Sequence, residues 1–210
     1  MNKIDKDIYN LKDILPPDFQ GWNGNSTWFE NIIRQVYPNT IIEVGSWKGQ
    51  SAITMANALK NLNLEAIIHC VDTWLGALEF WDHFSDTHER NLLLKNGYPN
   101  IYYQFLSNVI HAGVQDYILP FPNTSLIAAR YFKNRGIIAD LIYIDGSHDY
   151  EDVLLDLEAY FPLLRNGGVM FGDDYHNGWT GVINAVNDFA NKYSLSIETT
   201  PVDSFWVIRK

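Results

Sequence analysis

The stretch ADLIYIDGSHDYEDVLLDLEAYFPLLRNGGVMFGDDY, residues 139–175, decides the predicted fold. Its pattern predicts an apolar strand that ends in Asp145, a crossover helix, and a second apolar strand that ends in Asp173 and Asp174. The carboxyl ends of parallel strands joined by a crossover meet at one edge of a sheet. We therefore predict that these three carboxylates converge on one crevice, together with His148. So many negative charges side by side indicate a divalent cation or a shared proton between them.

The rest of the chain alternates short apolar runs with helix-type patterns of apolar residues. Such alternation is typical of α/β folds, so we predict a Rossmann-like open sheet of seven strands, mostly parallel, with helices on both faces. The short connection between the last two apolar runs, residues 196–200 and 205–209, predicts that the last strand is antiparallel. Residues 1–38 are polar, aromatic and rich in turn residues, which predicts an N-terminal lid or cap before the main domain at residues 39–210.

Residues 73–100 are too long for a simple loop between a strand and a helix. They predict a helical insertion whose aromatic side chains either line the substrate site or only pack against the core. Its residues His83, Asp86 and His88 have the types of side chain that bind metals. Mixtures of this kind are also routine on solvated helix faces, which is the stronger reading here.

Charge and composition restrict the possible partners. A formal net charge of −10 argues against nucleic acid or an anionic membrane, because both need a basic surface. No run of about 20 apolar residues is present, and the first ten residues lack the apolar core of a signal peptide. Cys70 is the single cysteine, which excludes an internal disulfide and favours a reducing compartment. We expect a soluble, cytoplasmic protein that acts on a small molecule.

A glycine loop, GSWKGQS at residues 45–51, lies between the predicted strand 40–44 and the predicted helix 52–62. Glycines allow close approach of a ligand to the backbone, and a helix N-terminus offers free N–H groups. The spacing matches neither the dinucleotide-binding motif nor the Walker A motif. Glu43 lies where it faces a cationic group, such as the ammonium of an amino acid. Asp72 follows the next apolar strand, where it either accepts ribose hydroxyls or only ends the strand.

Three motifs resemble those of class I S-adenosylmethionine-dependent methyltransferases, and among these the metal-dependent O-methyltransferases. They are EVGSWKGQSA at residues 43–52, HAGVQDYILPFPNTS at 111–125, and IDGSHDY with LLRNGGVMFGDDY at 144–150 and 163–175. The last pair is the most specific, and it is similar to the macrolide-sugar O-methyltransferases, in which an Asp-Gly-Ser-His motif and an Asp-Asp pair frame a magnesium ion. The resemblance covers about residues 40–210.

The resemblance implies a role for each matched residue. Residues of the glycine loop and its strand would hold the methionine end of S-adenosylmethionine: Glu43, Gly45, Ser46, Gly49 and Ser51. Asp72 would take the ribose, and Thr124 or Ser125 would lie near the adenine. The magnesium ligands would be Asp145, which also borders the cofactor, Asp173 and Asp174. His148 would be the catalytic base; otherwise it only orients Asp145 or the start of the following helix.

These implications predict methyl transfer to a hydroxyl group of a small molecule, with magnesium orienting two neighbouring oxygens. A sugar or polyol is favoured over a catechol because His148 follows the pattern of the sugar enzymes. The catechol pattern has asparagine where Asp174 stands, so this site is more anionic. Two alternatives stay open: a non-catalytic protein that binds a nucleotide or S-adenosylmethionine on the same fold, and an NAD-linked oxidoreductase. A homo-oligomer is also possible on the sequence alone.

Overall fold

The computed structural model describes residues 6–81, 92–200 and 204–210. The possible metal cluster of His83, Asp86 and His88, and with it part of the predicted insertion, lies outside the described residues. The helices and strands in chain order are α1 (Trp28–Val36), β1 (Thr40–Val44), α2 (Gln50–Asn61), β2 (Ile67–Asp72), α3 (Ile101–Ala112), β3 (Ile118–Pro122), α4 (Ser125–Arg135), β4 (Ala139–Ile144), α5 (Tyr150–Tyr160), β5 (Leu164–Gly172), α6 (Thr180–Tyr193), β6 (Ile197–Thr199) and β7 (Trp206–Arg209). Within those ranges, no helix is long and apolar enough to cross a membrane.

The strands form one seven-stranded sheet in the order β3-β2-β1-β4-β5-β7-β6. Strands β1 to β5 are parallel, and β7 is antiparallel to both of its neighbours, β5 and β6. The predicted fold class, including the antiparallel last strand, is confirmed. The chain first adds strands outward on one side of β1 and then returns to its other side with β4. Ligands of open α/β sheets bind at such a switch point, outside the carboxyl ends of the strands.

Helices cover both faces of the sheet. Residues 41–44 of β1 are buried, because alternate side chains of a parallel strand enter the two covered faces. Ile41 belongs to the apolar cluster with α1, α2 and α3, whereas Ile42 belongs to the cluster with α4, α5 and α6. Helix α1 is itself a core element, since Phe29, Ile32 and Ile33 are fully buried. The predicted lid therefore concerns the residues before α1, and it stays a prediction.

The residues before α1 run along α3 and the loop after β1. The backbone amide of Leu15 donates to Ser107 Oγ at 3.0 Å, and that of Asp18 donates to Asn108 Oδ1 at 3.0 Å. Lys48 follows β1, and its buried ammonium group lies 2.7 Å from the Asp18 carboxylate. These contacts carry the N-terminal chain to the carboxyl edge of the sheet, where its next residues reach the site.

Candidate active site

A cleft of about 1130 Å³ opens at the carboxyl ends of the parallel strands. Six segments of the chain provide most of its lining: residues 21–24, 44–47, 71–73, 123–126, 145–148 and 173–174. Pockets for single small ligands usually measure about 300–1,000 Å³. The cleft is therefore large enough for a cofactor and a second small molecule.

Gly45 brings the loop after β1 against the loop after β4. Its φ of 85° is in the region that favours glycine, and a Cβ at this position would overlap the carbonyl oxygen of Asp145. Gly49 is the N-cap residue just before α2 and has a φ of 87°, and a Cβ there would lie 2.9 Å from the Phe105 ring. The two glycines therefore let the N-terminus of α2 face the cleft with its free N–H groups.

Glu43 is fully buried beneath this loop. Its two carboxylate oxygens accept hydrogen bonds from Ser46 Oγ at 2.6 Å and Ser51 Oγ at 2.5 Å. Burial raises the pKa of Glu43, and the two serine hydrogen bonds oppose that effect. Ser46 and Ser51 themselves line the cleft. Glu43 thus fixes the shape of the loop from below, and its direct contact with a ligand stays a prediction.

Asp72 is the last residue of β2, and its carboxylate accepts hydrogen bonds from three backbone amides. Its Oδ2 accepts from the amides of Ser46 at 3.0 Å and Trp47 at 2.8 Å, and its Oδ1 accepts from the amide of Trp74 at 2.7 Å. Burial raises the pKa of Asp72, and the amide hydrogen bonds oppose that effect. Asp72 lines the cleft, as the ribose prediction requires, and it also holds the glycine loop in place.

The β3 end of the cleft contains a buried carboxylate that the sequence reasoning missed. Thr124 and Ser125 line the cleft at the start of α4, as predicted, and Ser125 Oγ donates a hydrogen bond to Asp156 of α5. Burial raises the pKa of Asp156 to about 6. A signal for Asp156 was available in the sequence. It lies three residues after Val153 and one before Leu157, both buried on α5, and a polar residue at such a position is unusual.

The three aspartates that follow β4 and β5 all line the same cleft, but each has its own hydrogen-bond donor. Asp145 Oδ2 accepts from the Tyr143 hydroxyl at 2.9 Å. Asp173 Oδ2 accepts from Asn23 Nδ2 at 3.0 Å. Asp174 Oδ2 lies 3.1 Å from Nε2 of His148, within hydrogen-bond distance. Sequence reasoning placed the carboxylates together without predicting these separate partners.

The carboxylates repel one another as well. Burial, followed by the charges of Asp173 and Asp174, raises the pKa of Asp145 well above its usual range. Burial raises the pKa of Asp173 to about 6, and the charge of Asp174 adds to this effect. Asp174 has a φ of 66°, an unusual conformation for a residue other than glycine, and such strain is common at functional sites.

A magnesium ion would find oxygen ligands of the right chemistry at this cluster. The side chains are nevertheless engaged separately, and within the part of the chain that the structure describes no group of three or more His, Cys, Asp or Glu residues is arranged to hold a metal ion. As placed, the residues do not fit a magnesium ion held by all three carboxylates. The magnesium site therefore stays a prediction, and no catalytic step below depends on it.

His148 is held in a fixed orientation at the edge of the cleft. Its imidazole stacks on the Trp179 ring with centroids 3.8 Å apart and an interplanar angle of 15°. The hydrogen bond with Asp174 fixes the ring from a second direction, while 28 % of the side chain remains exposed. An imidazole oriented by a carboxylate and open to a cleft is the arrangement of a general base.

The sheet order, the glycine loop at the switch point and the acidic residue after β2 define the class I methyltransferase fold. A family model described as a methyltransferase domain matches residues 42–175. The chain therefore belongs to this methyltransferase family and is a class I S-adenosylmethionine-dependent methyltransferase. No curated protein sequence shows significant similarity to the chain.

Solved structures agree with this fold at low sequence identity. CalS11, a TDP-rhamnose 3'-O-methyltransferase of calicheamicin biosynthesis, is 21 % identical with a TM-score of 0.59, over 87 % of this chain and 77 % of that one. The O-methyltransferase NovP is 19 % identical with a TM-score of 0.61, over 88 % and 79 %. An O-methyltransferase from Bacillus cereus, solved with S-adenosylhomocysteine, is 14 % identical with a TM-score of 0.60, over 97 % and 88 %.

Proposed function

We propose that this protein transfers a methyl group from S-adenosylmethionine to a hydroxyl oxygen of a small molecule, with a sugar or polyol favoured over a catechol. The observation that carries the proposal is the orientation of His148 by Asp174 and Trp179 in the same cleft as the glycine loop. Membership of the methyltransferase family accounts for S-adenosylmethionine as the cofactor. The oriented imidazole favours an acceptor atom that has to lose a proton, such as a hydroxyl oxygen.

Bound S-adenosylmethionine would supply a methyl group that its sulfonium charge already activates. The loop fixed by Glu43 and Asp72 would hold the cofactor, and Gly45 lets this loop lie directly against the backbone of Asp145 after β4. His148 would accept the proton of the acceptor hydroxyl as the oxygen bonds to the methyl carbon and the carbon–sulfur bond breaks. Asp174 would stabilise the positive charge that His148 gains.

Two observations support a sugar or polyol as the acceptor. The motif around His148 resembles that of the sugar enzymes, and the structural relative CalS11 is described as acting on TDP-rhamnose. Magnesium, predicted from the sequence, is a separate hypothesis that excess chelator tests: lost turnover would support it, and unchanged turnover would show that it is wrong. A cytoplasmic location is supported by the free, buried Cys70, and a homo-oligomer stays a prediction.

The experiment is to measure formation of S-adenosylhomocysteine by the His148→Gln variant with a panel of sugars and polyols. We expect kcat to fall about 10²- to 10⁴-fold, with cofactor affinity unchanged, because general-base catalysis contributes about that much. His111→Gln is the matched control, since His111 lies on α3 and contacts Leu15 rather than the cleft. A variant that retained wild-type kcat would show that His148 is not the base.

This assay and a comparison of ligand stabilisation separate the two alternatives left open by the sequence. A protein that binds S-adenosylmethionine but produces no S-adenosylhomocysteine with any acceptor would be a binding protein on this fold. A protein stabilised by NAD rather than by S-adenosylmethionine would be an oxidoreductase.

A further inference from the structure

The charge of the cleft is strongly one-sided. Among the described residues that line it there is no lysine or arginine. Six of the lining residues are aspartates: Asp72, Asp145, Asp152, Asp156, Asp173 and Asp174. Phosphate and carboxylate groups of ligands are normally bound by arginine and lysine, because charge-assisted hydrogen bonds to these cations are strong. The walls described here offer no such partner to an anionic acceptor.

The remaining positive contributions are too small to reverse this charge. Helices α2, α4, α5 and α6 begin near the cleft, and each helix N-terminus contributes roughly half a positive charge. Together they contribute about two positive charges, and the Lys48 ammonium, 5.6 Å from the centre of the Trp47 ring, is already paired with Asp18. Against them stand six carboxyl groups, including Asp145, whose pKa burial and its acidic neighbours raise well above its usual range. S-adenosylmethionine adds one net positive charge of its own. A second ligand in the cleft therefore still meets a negative environment.

Three aromatic rings form a second feature of the cleft, independent of its charge. We call Trp22, Trp47 and Phe80 the aromatic patch. Trp47 and Phe80 stack at 4.6 Å between centroids, Trp22 stacks on Phe80 at 6.0 Å, and 59 % of Trp22 is exposed. The rings come from the N-terminal residues and the loops after β1 and β2, and all three line the same cleft as His148. Aromatic faces attract cations, most strongly when a tryptophan provides the face.

We propose that the methyl acceptor is an amine-bearing hydroxyl compound, such as an amino sugar or amino polyol, and that the cleft rejects phosphorylated acceptors. In this it would differ from CalS11, which is described as acting on TDP-rhamnose, a sugar that carries a diphosphate. The proposal rests on the proposed function, because it names the class of molecule that would be methylated. Carboxylates and aromatic faces both favour an ammonium group, whereas an acceptor with a phosphate would meet only repulsion from the side chains of the described walls.

Asp152 is the carboxylate to which we assign the preference for an amine-bearing acceptor. It is exposed in the cleft, and its Oδ2 accepts a hydrogen bond from Ser147 Oγ at 3.1 Å. Ser147 immediately precedes His148, so Asp152 stands beside the loop that carries the base. The other aspartates of the cleft are tied to the glycine loop, Tyr143, Ser125, Asn23 or His148. Asp152 is thus the one best placed for a role in choosing the acceptor.

The test uses three probes that share one ring and differ in charge: glucosamine, glucose and glucose 6-phosphate. Their affinities for the protein saturated with S-adenosylhomocysteine are measured by NMR titration near neutral pH, and methyl transfer is measured with S-adenosylmethionine. We expect glucosamine to bind about tenfold more tightly than glucose, and glucose about tenfold more tightly than glucose 6-phosphate, because several carboxylates act together on each added charge. Each tenfold step corresponds to about 1.4 kcal/mol.

The Asp152→Asn variant should reduce the preference for glucosamine over glucose to about threefold or less and leave the affinity for glucose unchanged. Asp188→Asn, an exposed change on α6 outside the cleft lining, should preserve the full preference. Equal binding of glucosamine and glucose, tight binding of glucose 6-phosphate, or no binding of any probe would overturn the acceptor class while leaving the methyltransferase in place. Failure of the wild-type protein to bind S-adenosylhomocysteine would instead overturn the proposed function itself.

Discussion

Asp156 should make the folded protein less stable as the pH rises. The residue is 7 % exposed, and burial raises its pKa from the ordinary value of 3.8 to about 6, with the hydrogen bond from Ser125 opposing the effect. An acid whose pKa is raised by folding binds more protons in the folded state than in the unfolded state between these two pKa values. The contribution of Asp156 to the free energy of unfolding is therefore greatest at low pH and falls as the pH rises through this range.

The size of this effect follows from the two pKa values. A difference of about 2.2 corresponds to about 3 kcal/mol over the whole range. By the linkage relation, the contribution of Asp156 to the free energy of unfolding changes by about 1.4 kcal/mol between about pH 7.5 and about pH 5. The Asp156→Asn variant carries no charge at either pH. Any fixed cost of burying the amide is the same at both, so it cancels from the comparison.

The assay is urea unfolding of the wild-type protein and of Asp156→Asn at the two pH values. The wild-type protein should gain about 1.4 kcal/mol relative to the variant on moving from the higher pH to the lower one. Asp188→Asn, which changes an exposed aspartate, should show no comparable gain. A difference between wild type and Asp156→Asn that stayed constant within about 0.3 kcal/mol would show that the pKa of Asp156 is not raised in the folded protein.

Two further predictions concern the edge of the cleft. Gly45→Ala should lower the free energy of unfolding by about 3 kcal/mol or more in urea unfolding and abolish cofactor binding, because its Cβ would overlap the Asp145 carbonyl oxygen. Gly136→Ala is the control at a similar positive φ with open space around it, and it should cost only about 1 kcal/mol; equal losses would contradict the overlap. Asn23→Ala should raise the pKa of the Asp173 carboxyl in an NMR titration, because a hydrogen bond that lowers it is lost. An unchanged Asp173 titration would show that this contact does not persist in solution.

The fold could be predicted from the sequence because its signals are local. The β-branched run before Gly45, the apolar run before Asp145 and the helical patterns between them each indicate one element. The rule that crossovers are right-handed then places the strand ends together. These signals suffice to predict the switch point between β1 and β4 and the gathering of Asp145, Asp173 and Asp174 around one cleft.

The partners of those carboxylates could not be predicted in the same way, because they come from distant parts of the chain. Asn23 lies 150 residues before Asp173, and no local pattern relates the two. The aromatic patch joins rings from three separate segments, and Asp156 meets Ser125 only because α4 and α5 pack together. Such contacts depend on tertiary packing, whereas motifs report only which types of side chain are near a site.

The methyltransferase assignment is tested most directly by the melting temperature of the protein with S-adenosylhomocysteine and, separately, with NAD. A ligand at about 100 times its Kd stabilises the folded state by about 2.7 kcal/mol, which raises the melting temperature of a protein of this size by about 5–10 °C. We predict such a rise with S-adenosylhomocysteine and none with NAD. A melting temperature that S-adenosylhomocysteine left unchanged would contradict the assignment of this cleft as a methyltransferase active site.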